Sequence, residues 1–193
     1  MVAMIKRKES VSMEAIEMIK GRRSIRKYKD EVVDRDVMTE IIDITRHAPS
    51  WTNSQTPRWT LVDDAEVIAK FAEDGVKGFA YNIATLKNAR GVAVLSFVEG
   101  RSGRTDKYDI ETSENPGRWE SFDAGIACQT FCLAAHAKGV GTCIFGVIDE
   151  PKIAELVALP EGEKVASLVV YGYPDEEPKM PRRKEVDDLL RFV

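Results

Sequence analysis

The stretch SFDAGIACQTFCLAAHAKG, residues 121–139, decides how the rest of the chain is read. It is built of helix-forming residues, carries charge only at Asp123 and Lys138, and closes on a glycine. A helix that is apolar almost all round is buried on most sides, in a core or in an interface between two copies. VGTCIFG (140–146) follows it and reads as a strand. Two further runs, GVAVLSFV (91–98) and VASLVVYGY (165–173), are continuously apolar and of strand length. Such runs predict strands covered on both faces. Helices and strands alternate only in part, without clean βαβ units throughout. The expected class is α+β, a layered sheet flanked by helices.

Working outward, Ser12 caps a helix over 12–20, with Met13, Ile16 and Ile19 on one face and Gly21 at its end. A second helix starts near Asp34, places Val37, Ile41, Ile44 and Ala48 on one face, and stops at Pro49. WTLVD (59–63) reads as a strand, and 64–73, opened by Asp63 or Asp64, as a helix. Residues 77–88 and 149–158 read as helices, the latter capped by Asp149. The polar segment 99–120 has little periodicity and the length of a functional lid. An extended tail over 174–183 leads to a short final helix, KEVDDLLRFV. No linker composition divides the chain, so residues 1–193 are expected to form a single domain with the tail 174–193 as its extension.

The composition excludes several classes. With 28 basic and 32 acidic residues the net charge is −4, which argues against a nucleic-acid partner. Three cysteines, Cys128, Cys132 and Cys143, contain no CxxC pair and give no disulfide framework. The charged N-terminus has no signal-peptide core, and no apolar run approaches membrane-span length, so the expected location is cytoplasmic, with no membrane partner. His47 and His136 belong to no ligand-spaced motif, so no metal is expected. GVGTCIFG leads from helix into strand, the reverse of a dinucleotide fingerprint, and a Rossmann reading is rejected.

Two stretches call for chemistry. RRSIRKYK places five basic residues in eight positions, with Ser24 between Arg23 and Arg26, after a glycine-ended helix. A charge run is ordinarily a solvated face. Arginine forks with a hydroxyl, however, suit a phosphate monoester, and the late pair Arg182 and Arg183 could converge on the same group. APSWTNSQTPRW (48–59) gathers two tryptophans among amides and hydroxyls, more than a plain connector needs.

These motifs, in order with FDAGIACQTFCLAAHAKGVGT, LPEGEKVASLVVYGYPDEEP and a late RR, resemble the FMN-dependent nitroreductase family from about residue 12 to the end of the chain. The resemblance implies an α+β sandwich with a mainly antiparallel central sheet, forming a homodimer with FMN at the interface. It implies that Arg22, Arg23, Ser24 and Arg183 bind the phosphate. Arg26 approaches the ribityl chain and the pyrimidine edge, and Asn82 bonds that edge. Pro49, Ser50, Trp51 and Asn53 cover the flavin of the partner subunit, while the backbone at Ile144, Phe145 and Gly146 passes flavin N5. Trp59 is expected to be core. Two departures stand out: Gln55 is followed by TPRW, and Thr85 stands where a basic residue is frequent, which leaves Arg26 as the main charge beside the reduced flavin.

The implied activity is an FMN-dependent oxidoreductase. NADH or NADPH gives a hydride to flavin N5, and the reduced flavin then reduces a small acceptor such as a nitroaromatic or quinone, in ping-pong order. No side chain is assigned a catalytic role. Tyr108 and Trp119, in the polar segment, are expected near the pocket mouth. The alternatives are another flavin reaction on the same fold, such as dehalogenation or dehydrogenation, and a non-enzymatic flavin-binding redox partner.

Overall fold

The structure is a computed structural model that describes residues 14–103 and 117–193. Its helices are α1 (Ala15–Gly21), α2 (Arg35–Thr45), α3 (Ala65–Lys70), α4 (Ala80–Lys87), α5 (Gly117–Ala137) and α6 (Glu150–Leu156). Its strands are β1 (Pro57–Val62), β2 (Gly91–Val98), β3 (Gly141–Phe145) and β4 (Glu163–Gly172). Three aspartates start helices as their positions predict. Asp34 accepts from the Asp36 N–H, Asp64 from those of Glu66 and Val67, and Asp149 from that of Lys152. Each satisfies a first-turn donor that has no partner within its helix.

The four strands form one sheet in the order β1-β2-β4-β3, with every neighbouring pair antiparallel. β2 and β4 are central, as their unbroken apolar runs predict. Val92 and Val94 of β2, with Leu168 and Val170 of β4, face a core closed by Ile68, Phe71, Leu86 and Ile153. Ala93, Leu95 and Phe97, with Val169 and Tyr171, face a second core closed by Met38, Ile41, Cys128, Phe131 and Ala135. Helix α5 is therefore lodged against the sheet beneath α2, and each large side chain so buried contributes about 1.5–3 kcal/mol. Leu95 pairs with Ser167 while Ser96 pairs with Val165, so Ala166 is an extra residue, a bulge. The bulge puts Val165 on the same face as Leu168, three positions away.

Several expectations need correction. α5 is already helical at Gly117, one turn before its apolar run, so Trp119 and Glu120 of the polar segment belong to a helix, while residues 104–116 of that segment lie outside the described residues. The buried face of α2 is Met38, Ile41 and Thr45, whereas Ile44 is exposed and Ala48 lies beyond the helix end. The two candidate faces differ by one position, and only packing against α5 chooses between them. α3 runs on into a π-helical turn over Phe71–Gly75. The final segment holds one 3-10 turn, Val186–Asp188, and no α-helix. Among the described residues, no helix is long and apolar enough to cross a membrane. Ser12, Met13 and Tyr108 lie outside the described residues.

Candidate functional site

The basic cluster leaves α1 and runs along the outer edge of β3. Ser24 bridges Thr142 in parallel, and the Ile25 N–H donates to the Thr142 carbonyl at 2.9 Å. The other side of this segment meets the start of the C-terminal tail. Tyr28 bridges Pro174, and the Asp175 N–H donates to the Lys27 carbonyl at 3.0 Å. The tail then turns back over the cluster. Arg22, Arg23, Ser24 and Arg26 line one cleft of about 380 Å³ together with Lys179 and Arg183 of the tail. Five cations and a hydroxyl thus share a single cleft, a donor set suited to a phosphate dianion. Arg23 Nη1 donates to the carbonyls of Lys20 and Arg22 at 2.6 and 2.9 Å, so it also terminates α1.

β3 continues from this cleft. Thr142 to Phe145 is three residues, about 10 Å of extended chain. Phe145 is buried in the sheet core, whereas Ile144 is 48% exposed on an otherwise buried strand. Gly146 is exposed, and a Cβ there would meet no atom within 4 Å. Among the described residues nothing requires a glycine at that point, and the open space admits a flat group against the backbone. Asn82 is buried and donates from Nδ2 to the Val147 carbonyl at 3.2 Å, so it braces the turn just past Gly146. Beside it, Phe79 and Tyr81 are exposed, with ring centroids 5.6 Å apart. Thr85 is buried and its hydroxyl donates to the Tyr81 carbonyl, so it offers neither a charge nor a free donor to this surface.

Pro49, Ser50, Trp51 and Asn53 lie elsewhere. Their loop leads into β1, the opposite edge of the sheet from β3. Three strand spacings, about 14 Å, separate those edges. Pro49 and Ser50 line a separate cavity of about 290 Å³ floored by Ile42, Trp59 and Ala127. The loop is strained: Thr52, Asn53 and Gln55 have φ of 45°, 57° and 48°. Positive φ is uncommon for non-glycine residues and an outlier for a β-branched one. A buried carboxylate holds it there. Asp123 of α5 accepts from the Trp51 N–H at 3.0 and 3.1 Å, from Ser54 Oγ at 3.4 Å and from Ser102 Oγ at 2.6 Å. Ser50 Oγ accepts from the Gln55 N–H at 2.9 Å and closes the turn.

The structure therefore brings Arg22, Arg23, Ser24, Arg26 and Arg183 together in one cleft, and Asn82 to the Ile144–Gly146 end of the same strand edge. It does not bring Pro49, Ser50, Trp51 or Asn53 to either. The Trp51 ring leans on Trp119 at 4.6 Å, and Trp119 meets Phe122 at 5.3 Å, so both tryptophans pack on the chain's own α5. Trp51 Nε1 is buried without a partner among the described residues. Trp59 stacks on Phe131 at 4.5 Å and 19°, a core role. Sequence reasoning missed Asp123, Lys179 and the Phe79–Tyr81 pair. A lone aspartate in an otherwise apolar helix was the available signal for Asp123, since an ion so buried must have partners.

Cys132 beside it, and then burial, raise the Cys128 thiol, and burial raises that of Cys143. Burial, then the charges of Arg22 and Arg23, lower the pKa of His136, which sits beside the basic cluster. Among the described residues, no group of three or more histidine, cysteine or carboxylate side chains could hold a metal ion.

Comparison with known proteins converges on one family. Residues 19–173 match the model of the Nitroreductase family. A Methanothermobacter thermautotrophicus protein, provisionally assigned as an NADH dehydrogenase/NAD(P)H nitroreductase, is 31% identical over 170 residues, covering 86% of this chain and 80% of its own. A Bacillus subtilis FMN reductase using NAD(P)H is 29% identical over 178 residues, covering 88% of this chain and 70% of its own. The crystal structure of a nitroreductase family protein from Clostridium novyi NT superposes with a TM-score of 0.72 at 28% identity, covering 88% of this chain and 89% of that one.

Proposed function

The chain belongs to the nitroreductase family, and we propose that it is an FMN-dependent oxidoreductase that draws electrons from NADH or NADPH and passes them to a small acceptor, a nitroaromatic or quinone. The observation that carries this reading is the single cleft lined by Arg22, Arg23, Ser24, Arg26, Lys179 and Arg183, whose Ser24 wall is bridged to Thr142 of β3, the strand that ends beside the open backbone at Gly146.

The residues fit the cofactor. Arg22, Arg23, Ser24 and Arg183 hold the phosphate, with Lys179 as a further cation. Arg26 is exposed beside them and serves the polar chain and ring edge. Asn82 spends one amide N–H on Val147 and keeps a second N–H and its oxygen for the ring edge. Phe79, Tyr81 and Ile144 supply apolar surface beside the Gly146 backbone. FMN held there would supply the hydride and electron-transfer chemistry between the nicotinamide and the acceptor. The protein's part is to bind, orient and set the local field, so no side chain is assigned as acid, base or nucleophile.

The loop Pro49–Asn53 completes the site from a second copy. It stands at the opposite sheet edge from the cleft, so it cannot cover a cofactor bound at its own β3. A homodimer that sets the β1 edge of one chain against the β3 edge of the other joins the two halves. Donor and acceptor then use the same exposed face in turn, which is the ping-pong order.

The test is an absorbance spectrum of the purified protein, followed by anaerobic NADH, NADPH and a panel of quinones and nitroaromatics. The expected result is a yellow protein bleached by a nicotinamide and recoloured by an acceptor. A colourless protein that takes up no FMN overturns the proposal.

A further inference from the structure

The phosphate cleft has two walls that are far apart in sequence. One is the segment Arg22–Arg26, fixed by its bridge to β3. The other is the tail from Pro178 to Arg183, which belongs to no helix or strand. The tail is tied to the first wall up to Asp175 by backbone pairing. Beyond that point it turns back over the cleft, and one side chain stands at the turn. Glu176 Oε1 accepts from two successive backbone N–H groups, Arg26 at 2.5 Å and Lys27 at 3.2 Å. Successive amides aimed at one oxygen form an anion-binding concavity, and here the protein fills it with its own carboxylate.

We propose that Glu176 is a positioning residue that latches the tail, and through it Lys179 and Arg183, over the phosphate cleft. The ligand part of this inference rests on the FMN reading above; the latch itself does not. Long cationic side chains on an unstructured segment cost conformational freedom to order. A tail already held at Glu176 meets that cost before the phosphate arrives, which is preorganisation. The bond needs an acceptor of glutamate length, and it does not need the charge. Glutamine keeps both reach and acceptor, while aspartate keeps the charge and loses the reach. The negative charge beside five cations opposes phosphate binding, so a purely electrostatic role predicts tighter FMN binding in both Glu176→Ala and Glu176→Gln, whereas a hydrogen-bond latch predicts a loss in Ala that Gln does not share.

The experiment uses the full chain with Glu176→Ala, Glu176→Asp and Glu176→Gln, each checked for an unchanged circular dichroism spectrum. Limited trypsin digestion without flavin reports the tail, because Lys179, Arg182 and Arg183 are its cleavage points. Cleavage there is expected to accelerate about tenfold in the Ala and Asp variants, the factor of a hydrogen bond worth about 1.4 kcal/mol, and to stay at the wild-type rate in Gln. Flavin titration follows, with FMN and with riboflavin, which lacks the phosphate. FMN affinity is expected to fall about tenfold in Ala and Asp and to hold in Gln, with riboflavin unchanged in all three. Wild-type cleavage rates in both Ala and Asp overturn the latch, as does a Gln variant that behaves like Ala. Equal losses of FMN and riboflavin overturn its action through the phosphate. If the wild type binds neither flavin, the functional reading falls and the digestion rates still decide the latch.

Discussion

The cleft along β3 and the loop before β1 hold charge and strain in opposite ways. The cleft gathers five cations, and what it offers is charge. The loop has little charge, yet it keeps three non-glycine residues at positive φ, pinned by one buried carboxylate. The first is a site of composition and the second a site of conformation. The difference shows where each kind of information is stored. Each wall's charge is written in its own local sequence, whereas the loop's strain is maintained by a partner 72 residues away.

The comparison breaks most readily at Asp123. Asp123→Ala leaves the Trp51 N–H and two hydroxyls without their acceptor, and the expected loss is about 4 kcal/mol in urea unfolding. Phosphate affinity at the cleft, read by titration of the folded variant, is expected to stay unchanged. A loss below about 1 kcal/mol would mean that the loop holds its shape without the carboxylate. The double substitution Arg22→Ala with Arg183→Ala reverses the pattern. Removing two charge-assisted partners is expected to weaken FMN about a hundredfold, with the urea midpoint unchanged or raised as like charges are relieved. FMN retained at wild-type affinity would remove the phosphate assignment.

A smaller effect sharpens the account of the loop. Thr52→Gly removes a β-branched side chain from φ of 45°, and a gain of about 1 kcal/mol is expected in thermal or urea unfolding. A loss would show that the threonine side chain makes the conformation and does not merely endure it. The smallest effect belongs to the cleft. His136 has a folded-state pKa below its ordinary value of 6.5, through burial and then Arg22 and Arg23. The unfolded chain therefore takes up the proton first as pH falls. The histidine's contribution to stability is full above about pH 6.5 and is lost as pH drops through the folded value. His136→Gln is expected to flatten that part of the urea-midpoint profile between about pH 5 and pH 7. An unchanged slope would assign it to other groups.

Much of the fold and half of the candidate site are legible from residues alone, for identifiable reasons. The runs 91–98 and 165–173 read as covered strands because a strand buried on both faces needs apolar side chains at successive positions, not at alternate ones. The cluster Arg22–Arg26 reads as an anion site because arginine spacing and a serine are local facts. The late pair Arg182 and Arg183 is legible as a second basic cluster that could converge on the same group, but only the family resemblance selects Arg183, since a contact across about 160 residues leaves no mark in either segment. The buried face of α2 is off by one position in the sequence reading because Val37 and Met38 are both apolar and only α5 decides between them. Trp51 falls on a loop by its neighbours, but its ring direction depends on Trp119, whose polar surroundings point to a lid and not to a helix. Lys179 gives no signal at all: a lysine in a polar tail is the least informative residue a cleft can recruit.

The bulge at Ala166 carries a consequence for how this strand tolerates change in length. Removing any other interior residue of β4 throws the remaining side chains onto the wrong faces, with valines turned to one layer and their neighbours to the other. Ala166 is the supernumerary position, since Val165 and Ser167 already oppose Ser96 and Leu95 without it. A single-residue deletion at Ala166 leaves both layers in phase. The β2–β4 register shift is thus a point where the strand can lose a residue and keep its pattern.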